Sequence, residues 1–192
     1  MSNALVPFAT QYVAKKALFS FMGNTFRIYG SDGSLQFFIK QKAFRLKEEI
    51  NVFGDEGQKQ KRLVIKARGI GDFAGTYDVK DANTGENVGA CRRKGLKSLF
   101  KDEWEILDAG GSPVGKVEEE GGLMFILHKF IKLIPQRYRV VVGGQEVGTI
   151  HQRFNLFGLS YDVDFSKGVG SLDPRLGVAM TVLLLAIEGR AD

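Results

Sequence analysis

The chain repeats one hairpin. Thr76-Tyr77-Asp78-Val79-Lys80-Asp81 passes through a turn at Gly85 into Val88-Gly89-Ala90-Cys91. Glu103-Trp104-Glu105-Ile106-Leu107-Asp108 passes through Gly110-Gly111 into Val114-Gly115-Lys116-Val117, and Tyr138-Arg139-Val140-Val141-Val142 through Gly143-Gly144 into Val147-Gly148-Thr149-Ile150. Two weaker copies precede these: Phe26-Arg27-Ile28-Tyr29 with the turn Ser31-Asp32-Gly33, and Ile50-Asn51-Val52-Phe53 with the turn Asp55-Glu56-Gly57. Each copy alternates apolar and polar residues, breaks at a Gly-rich, often acidic turn and resumes. That is the pattern of an antiparallel hairpin with one face on a core and one in water. In the run Arg62 to Arg68, Leu63, Ile65 and Ala67 share a face opposite Arg62, Lys66 and Arg68. The arms of the five hairpins, with Phe37–Leu46 and Tyr161–Phe165, make about a dozen strands. So many strands curl and close, which removes exposed edges.

One segment breaks the alternation. Asp173-Pro174 reads as an N-cap followed by proline at the first helical position, and Gly189 suits a left-handed C-terminal stop. Between them Arg175–Glu188 is apolar on every side, and a helix of that kind must be enclosed by protein or lipid. At 1.5 Å per residue, about 15 residues reach roughly 22 Å, short of a hydrocarbon core of about 30 Å. Burial within the protein is therefore expected over a membrane anchor. Enclosing Leu176, Val178, Met180, Val182, Leu183, Leu184, Leu185 and Ile187 is worth roughly 12–24 kcal/mol gross. The expected fold is all-β: a closed antiparallel barrel of about 12 strands around a buried apolar C-terminal helix. As one domain, it divides into an N-terminal arm (1–24) joining the barrel, the barrel (25–170) and the central helix (171–192). Gly122–Ile134, ended by Pro135, is a second helical candidate, packed on the barrel or touching a membrane. Its periodicity also leaves a strand open.

Composition narrows the class. The 192 residues suit a single domain with a substantial core. Cys91 is the only cysteine, which excludes an internal disulfide and a cysteine zinc cluster and points to a reducing, cytoplasmic setting. Residues 1–22 do not read as a secretory signal, because Lys15 and Lys16 follow the first apolar residues and no apolar run of signal length comes after them. The net charge of +5 hides an asymmetry: residues 1–101 hold 18 Lys+Arg and 9 Asp+Glu, and residues 102–192 hold 9 and 13. A positive surface and an anionic partner are expected; a solvated face that only aids solubility is the alternative.

The order of elements, many hairpins and then one apolar helix, resembles the LURP-one-related proteins, which group with the tubby C-terminal domain and the phospholipid scramblases. The residues carrying the resemblance are Phe26-Arg27-Ile28 with Asp32-Gly33, Phe37 to Leu46, Tyr77 to Asp81, Arg92-Arg93-Lys94, Trp104 to Asp108 and Leu183 to Arg190. It spans Tyr12 to Glu188 and implies a barrel threaded by the C-terminal helix. Tubby domains bind phosphoinositides through Lys and Arg on the barrel surface. Scramblases are credited with calcium-dependent lipid movement and carry an acidic stretch before the terminal helix. The matching stretch here, Tyr161–Phe165 through Leu172-Asp173, is poorer in acid and interrupted by Lys167. A calcium site takes about six to eight oxygen ligands. This stretch offers Asp162, Asp164 and Asp173, the last already a cap. The scramblases' proline-rich arm and cysteine cluster are also missing, which weighs against scrambling.

No catalytic constellation stands out. His128 and His151 lack metal-ligand spacing or an activating partner, and Cys91 reads as a small core residue in a strand. Glu118-Glu119-Glu120 reads as a solvated turn, and Gly69-Ile70-Gly71 lacks the third glycine of a dinucleotide loop. No enzyme activity, cofactor or metal is expected. Two basic groups remain as anionic-ligand candidates: Lys40, Lys42, Arg45, Arg62, Lys66 and Arg68 on neighbouring strands, and the compact run Arg92, Arg93, Lys94 and Lys97. No nucleic-acid reading helix or aromatic RNA-binding signature accompanies them. The expected function is a peripheral module for anionic phospholipid or a phosphorylated ligand. The alternative is a protein-interaction or structural domain without a small ligand, followed by scramblase-type lipid movement or an enzyme of unrecognised type.

Overall fold

The computed structural model describes residues 7–17, 24–41, 49–69, 75–94, 103–120, 135–153 and 158–187. They form twelve strands: β1 (Gln11–Ala17), β2 (Asn24–Gly30), β3 (Leu35–Gln41), β4 (Glu49–Phe53), β5 (Lys61–Ala67), β6 (Thr76–Asp81), β7 (Asn87–Arg93), β8 (Glu103–Leu107), β9 (Pro113–Glu119), β10 (Arg137–Val142), β11 (Gln145–Arg153) and β12 (Gly158–Asp164). A 3-10 turn, Ser166–Gly168, leads towards the one described helix, α1 (Pro174–Ile187). Every strand pairs antiparallel with its sequence neighbours, and β1 pairs with β12 from Gln11↔Asp164 to Ala17↔Gly158, closing the barrel. Phe37–Leu46 is not an extra strand: its described part is the second arm of the first hairpin, and β1 completes the twelve. The candidate helix Gly122–Ile134 lies outside the described residues.

The helix fills the barrel. Eleven consecutive residues, Leu176 to Ala186, are buried, against inward strand residues such as Phe26, Ile39, Ile65, Cys91, Trp104, Tyr138 and Tyr161. Barrels of eight strands hold side chains alone and those of 16–18 leave a channel, so twelve suits a helix about 10–12 Å across. Asp173 caps α1 as expected, accepting the Arg175 backbone N–H at 2.9 Å. No helix among the described residues is long and apolar enough to cross a membrane.

The five hairpins share a defect in their ladders. In each, the second strand carries one unopposed residue just after the turn: Gln36, Arg62, Val88, Val114 and Val147. Such bulges bend a strand and sharpen its twist, which is what closing a barrel needs. They explain the recurrent Val-Gly pair. The valine is the bulged residue, and the glycine lies against the backbone of the next strand. A Cβ at Gly89, whose φ is +144°, would sit 2.3 Å from the Leu107 carbonyl oxygen; one at Gly148 would sit 2.5 Å from that of Asp164.

The topology gives the barrel two unlike ends. The turns joining β2–β3, β4–β5, β6–β7, β8–β9 and β10–β11 lie at one end with the N-terminus of α1; we call this the turn end. The chain leaves β1, β3, β5, β7, β9 and β11 at the other, the link end, where α1 finishes.

Candidate functional site

Charge is sorted between these ends. At the turn end acidic residues are placed by turn chemistry, in which a short carboxylate satisfies backbone donors that the turn leaves open. Asp32 accepts the Ser34 N–H at 3.0 Å, Asp55 that of Gln60 at 2.7 Å, Asp81 that of Asn83 at 2.9 Å and Asp108 that of Ser112 at 2.8 Å. Burial opposes ionisation of Asp81, but the Asn83 and Thr84 N–H groups and the Arg175 guanidinium prevail and hold its carboxyl below the usual range. Arg175 is the hub. It reaches Asp173 at 2.8 Å, Glu86 at 2.7 Å and Asp81 at 3.2 Å, tying the start of α1 to the β6–β7 hairpin.

The link end carries an excess of exposed bases, although Glu49, opposite Lys66, and Glu103, Glu118 and Glu120 also lie there. Lys15, Lys40, Lys66 and Lys94 are exposed near the link-end termini of β1, β3, β5 and β7, every second strand around half the barrel. Antiparallel alternation produces this spacing, because strands running towards one end recur every second position. Lys15 lies 5.2 Å from the Tyr29 ring centre. Among the described residues, no carboxylate forms an ion pair with Lys15, Lys40 or Lys66. Lys16, buried, follows Ala14 on the inward side of β1 and lies 5.7 Å from the Phe26 ring centre.

Several of the sequence candidates are already engaged. Arg68 pairs with Asp78 at 2.6 Å and Arg92 with Glu105 at 2.5 Å. Lys94 reaches Glu103 at 2.8 Å and Glu105 at 3.2 Å. Glu103 holds Lys94 in its charged form more firmly than usual. Burial works against the charge on Glu105, yet the bonds from Arg92 and Lys94 leave its carboxyl below the ordinary range. The compact basic run is thus largely neutralised across the strand pairs. Arg93 is half-buried and shares the inward register of Cys91. Lys42, Arg45 and Lys97 lie outside the described residues.

Arg62 corrects the sequence reading. It does not share the outer face with Lys66 and Arg68: it is 4% exposed, with its guanidinium 4.9 Å from the centre of the Phe8 ring and 5.8 Å from that of Phe37. It is the bulged residue of its hairpin, and the bulge resets the alternation so that Arg62 and Leu63 both turn inward. Burial lowers the affinity of its guanidinium for the proton. Aligning Arg62-Leu63 with Val88-Gly89 and Val147-Gly148 is the sequence signal for this.

The remaining candidates fall as follows. Glu118-Glu119-Glu120 is not a solvated turn: Glu118 and Glu119 end β9, and Glu119, at 6% exposed, faces inward opposite Tyr138. Cys91 is a core residue as expected, its thiol pushed up to about 12 by burial. His151 is half-buried on β11, in register with Arg137 and Asp162; His128 lies outside the described residues. Asp162 pairs with Arg153, and Asp164 accepts from Gln11 at 3.0 Å and from the Ser166 N–H at 2.8 Å. Among the described residues no group of three or more His, Cys, Asp or Glu side chains converges on a metal position.

Comparison with known proteins places this geometry. A family model described as LURP-one-related matches residues 35–185, well over half of the chain. No curated protein matches, and no solved structure matches.

Proposed function

The chain belongs to the LURP-one-related family, and from that footing we propose a non-catalytic binding module whose link-end rim holds an anionic phospholipid or a phosphorylated ligand. The observation that carries this is the placement of Lys15, Lys40, Lys66 and Lys94 at one end of alternate strands. The first three hold no ion-pair partner among the described residues and contribute nothing to the core. A non-catalytic role is supported by the burial of Cys91, since a thiol nucleophile acts as an exposed thiolate.

Magnitudes set the character of the binding. A Lys near an anionic membrane contributes about 1 kcal/mol, fading within a Debye length. Lys94 is already held by Glu103 and Glu105, so Lys15, Lys40 and Lys66 together give about 3 kcal/mol, an affinity of about 6 mM. The association is peripheral, weak and salt-sensitive unless a specific headgroup adds contacts.

Vesicle co-sedimentation tests the reading. Phosphatidylcholine vesicles containing phosphatidylserine are expected to capture the protein at low salt and release it at high salt, while pure phosphatidylcholine vesicles do not capture it. Competition by a soluble phosphorylated headgroup separates a specific ligand from a charged surface. If anionic vesicles fail to capture the protein even at low salt, the lipid reading falls and a protein-interaction role replaces it.

A further inference from the structure

We infer that the protein docks on an anionic bilayer end-on, link end down and tilted towards β1–β5, with the turn end pointing into solvent. The inference rests on the anionic-surface reading and adds an orientation to it.

The first support is charge along the barrel axis. Asp32, Asp55, Glu56, Glu86 and Asp108 surround the turn end, where Lys167 is paired with Glu146 at 3.1 Å and Arg175 sits among three carboxylates. Lys59, Lys61 and Lys80 offset these acids in part, and Glu56 is paired with Arg27 at 2.6 Å. A negatively charged surface is repelled there and attracted at the Lys15–Lys40–Lys66 rim.

Distance is the second support. A strand of seven residues such as β1 or β3 spans about 23 Å, or roughly 17 Å along the axis of a barrel whose strands tilt about 40°. The Debye length at physiological salt is about 8 Å. With the link end on the membrane, the turn-end carboxylates lie beyond the reach of screened repulsion. Lying on its side, the barrel brings acidic and basic ends to the surface together and cancels most of the attraction. The tilt follows from β9 and β10, where Glu118 and Glu120 face Arg139 at 3.9 and 3.4 Å and Lys116 holds Glu118 at 2.5 Å. That side of the rim is internally compensated.

The protein supplies its own means of testing this. Cys91 is fully buried, so an introduced surface cysteine can be labelled alone. Thr76→Cys and Asn83→Cys place a fluorophore near opposite ends of the same β6–β7 hairpin. Thr25→Cys, opposite Lys40 on β3, is a second link-end position should Thr76→Cys perturb the fold. Labelled proteins that unfold at the parental temperature are bound to phosphatidylcholine–phosphatidylserine vesicles carrying a nitroxide headgroup lipid. The link-end fluorophore is expected to be quenched several-fold more than the one at residue 83. Equal quenching, or stronger quenching at residue 83, overturns the orientation and leaves anionic binding standing. Failure of the vesicles to capture the parent protein removes both.

Discussion

At the turn end, Asp32, Asp55, Asp81 and Asp108 each accept a backbone N–H within five residues, and Arg175 bridges three carboxylates. At the link end, Lys15, Lys40 and Lys66 make no ion pair among the described residues. A charge at an end of the barrel therefore has two meanings. Turn-end carboxylates are charged because turns and a helix start need acceptors, and changing them alters stability. Lys15, Lys40 and Lys66 answer no carboxylate among the described residues, which leaves their charge available to a partner.

The largest expected effect tests the element that joins the ends. Truncation before Asp173 removes α1, whose burial, roughly 12–24 kcal/mol gross, exceeds a typical net stability of about 5–15 kcal/mol. Cooperative unfolding should vanish from the circular dichroism melt. A truncated protein that stays soluble and melts as the parent does sinks the central-helix account.

Next is Gly148→Val, which sets a side chain against the Asp164 carbonyl and the Phe165 ring, each 2.5 Å from where the new Cβ would stand. A loss of about 3 kcal/mol in urea unfolding is expected. An unchanged midpoint removes the close-approach explanation of the Val-Gly pair.

Arg175→Ala should cost about 2–3 kcal/mol, because it strands partly buried carboxylates. Acid sharpens this. Asp81, a partner of Arg175, has a native affinity for protons below that of the unfolded chain. The stability it contributes is present above the ordinary carboxylate range, near pH 4, and is lost as pH falls through its lower native value. The gap between parent and Arg175→Ala should therefore be widest at neutral pH and shrink below about pH 4. A gap independent of pH shows that Arg175 acts by packing alone.

The smallest effect on stability belongs to the link end. Lys40→Ala with Lys66→Ala should shift stability by no more than about 0.5 kcal/mol. Capture by phosphatidylserine vesicles should weaken about fivefold for each lysine. A double variant that melts early but binds as the parent does would falsify the division of labour between the ends.

The hairpins, their acidic turns, the capped apolar helix and its place inside a closed barrel are all legible from residue order, because alternation, turn residues and caps are local signals. Lys40 and Lys66 are legible for the same reason, each opposing apolar neighbours on its strand. Lys15 is absent from the basic groups picked out of the sequence, although Tyr12, Ala14 and Lys16 alternate around it. The signal for Arg175 is its place just after the Asp173 cap.

The rest depends on register. The Arg92–Glu105 pair spans 13 residues, and only the β7–β8 alignment brings the two together. Alternation within β5 points Arg62 outward, yet one unopposed residue in the ladder turns it inward beneath Phe8 and Phe37. A residue's periodicity along its own strand is written in that strand. The face it finally presents, and the charge it finally meets, are set by the neighbouring strand's alignment, where a slip of one residue exchanges inside for outside.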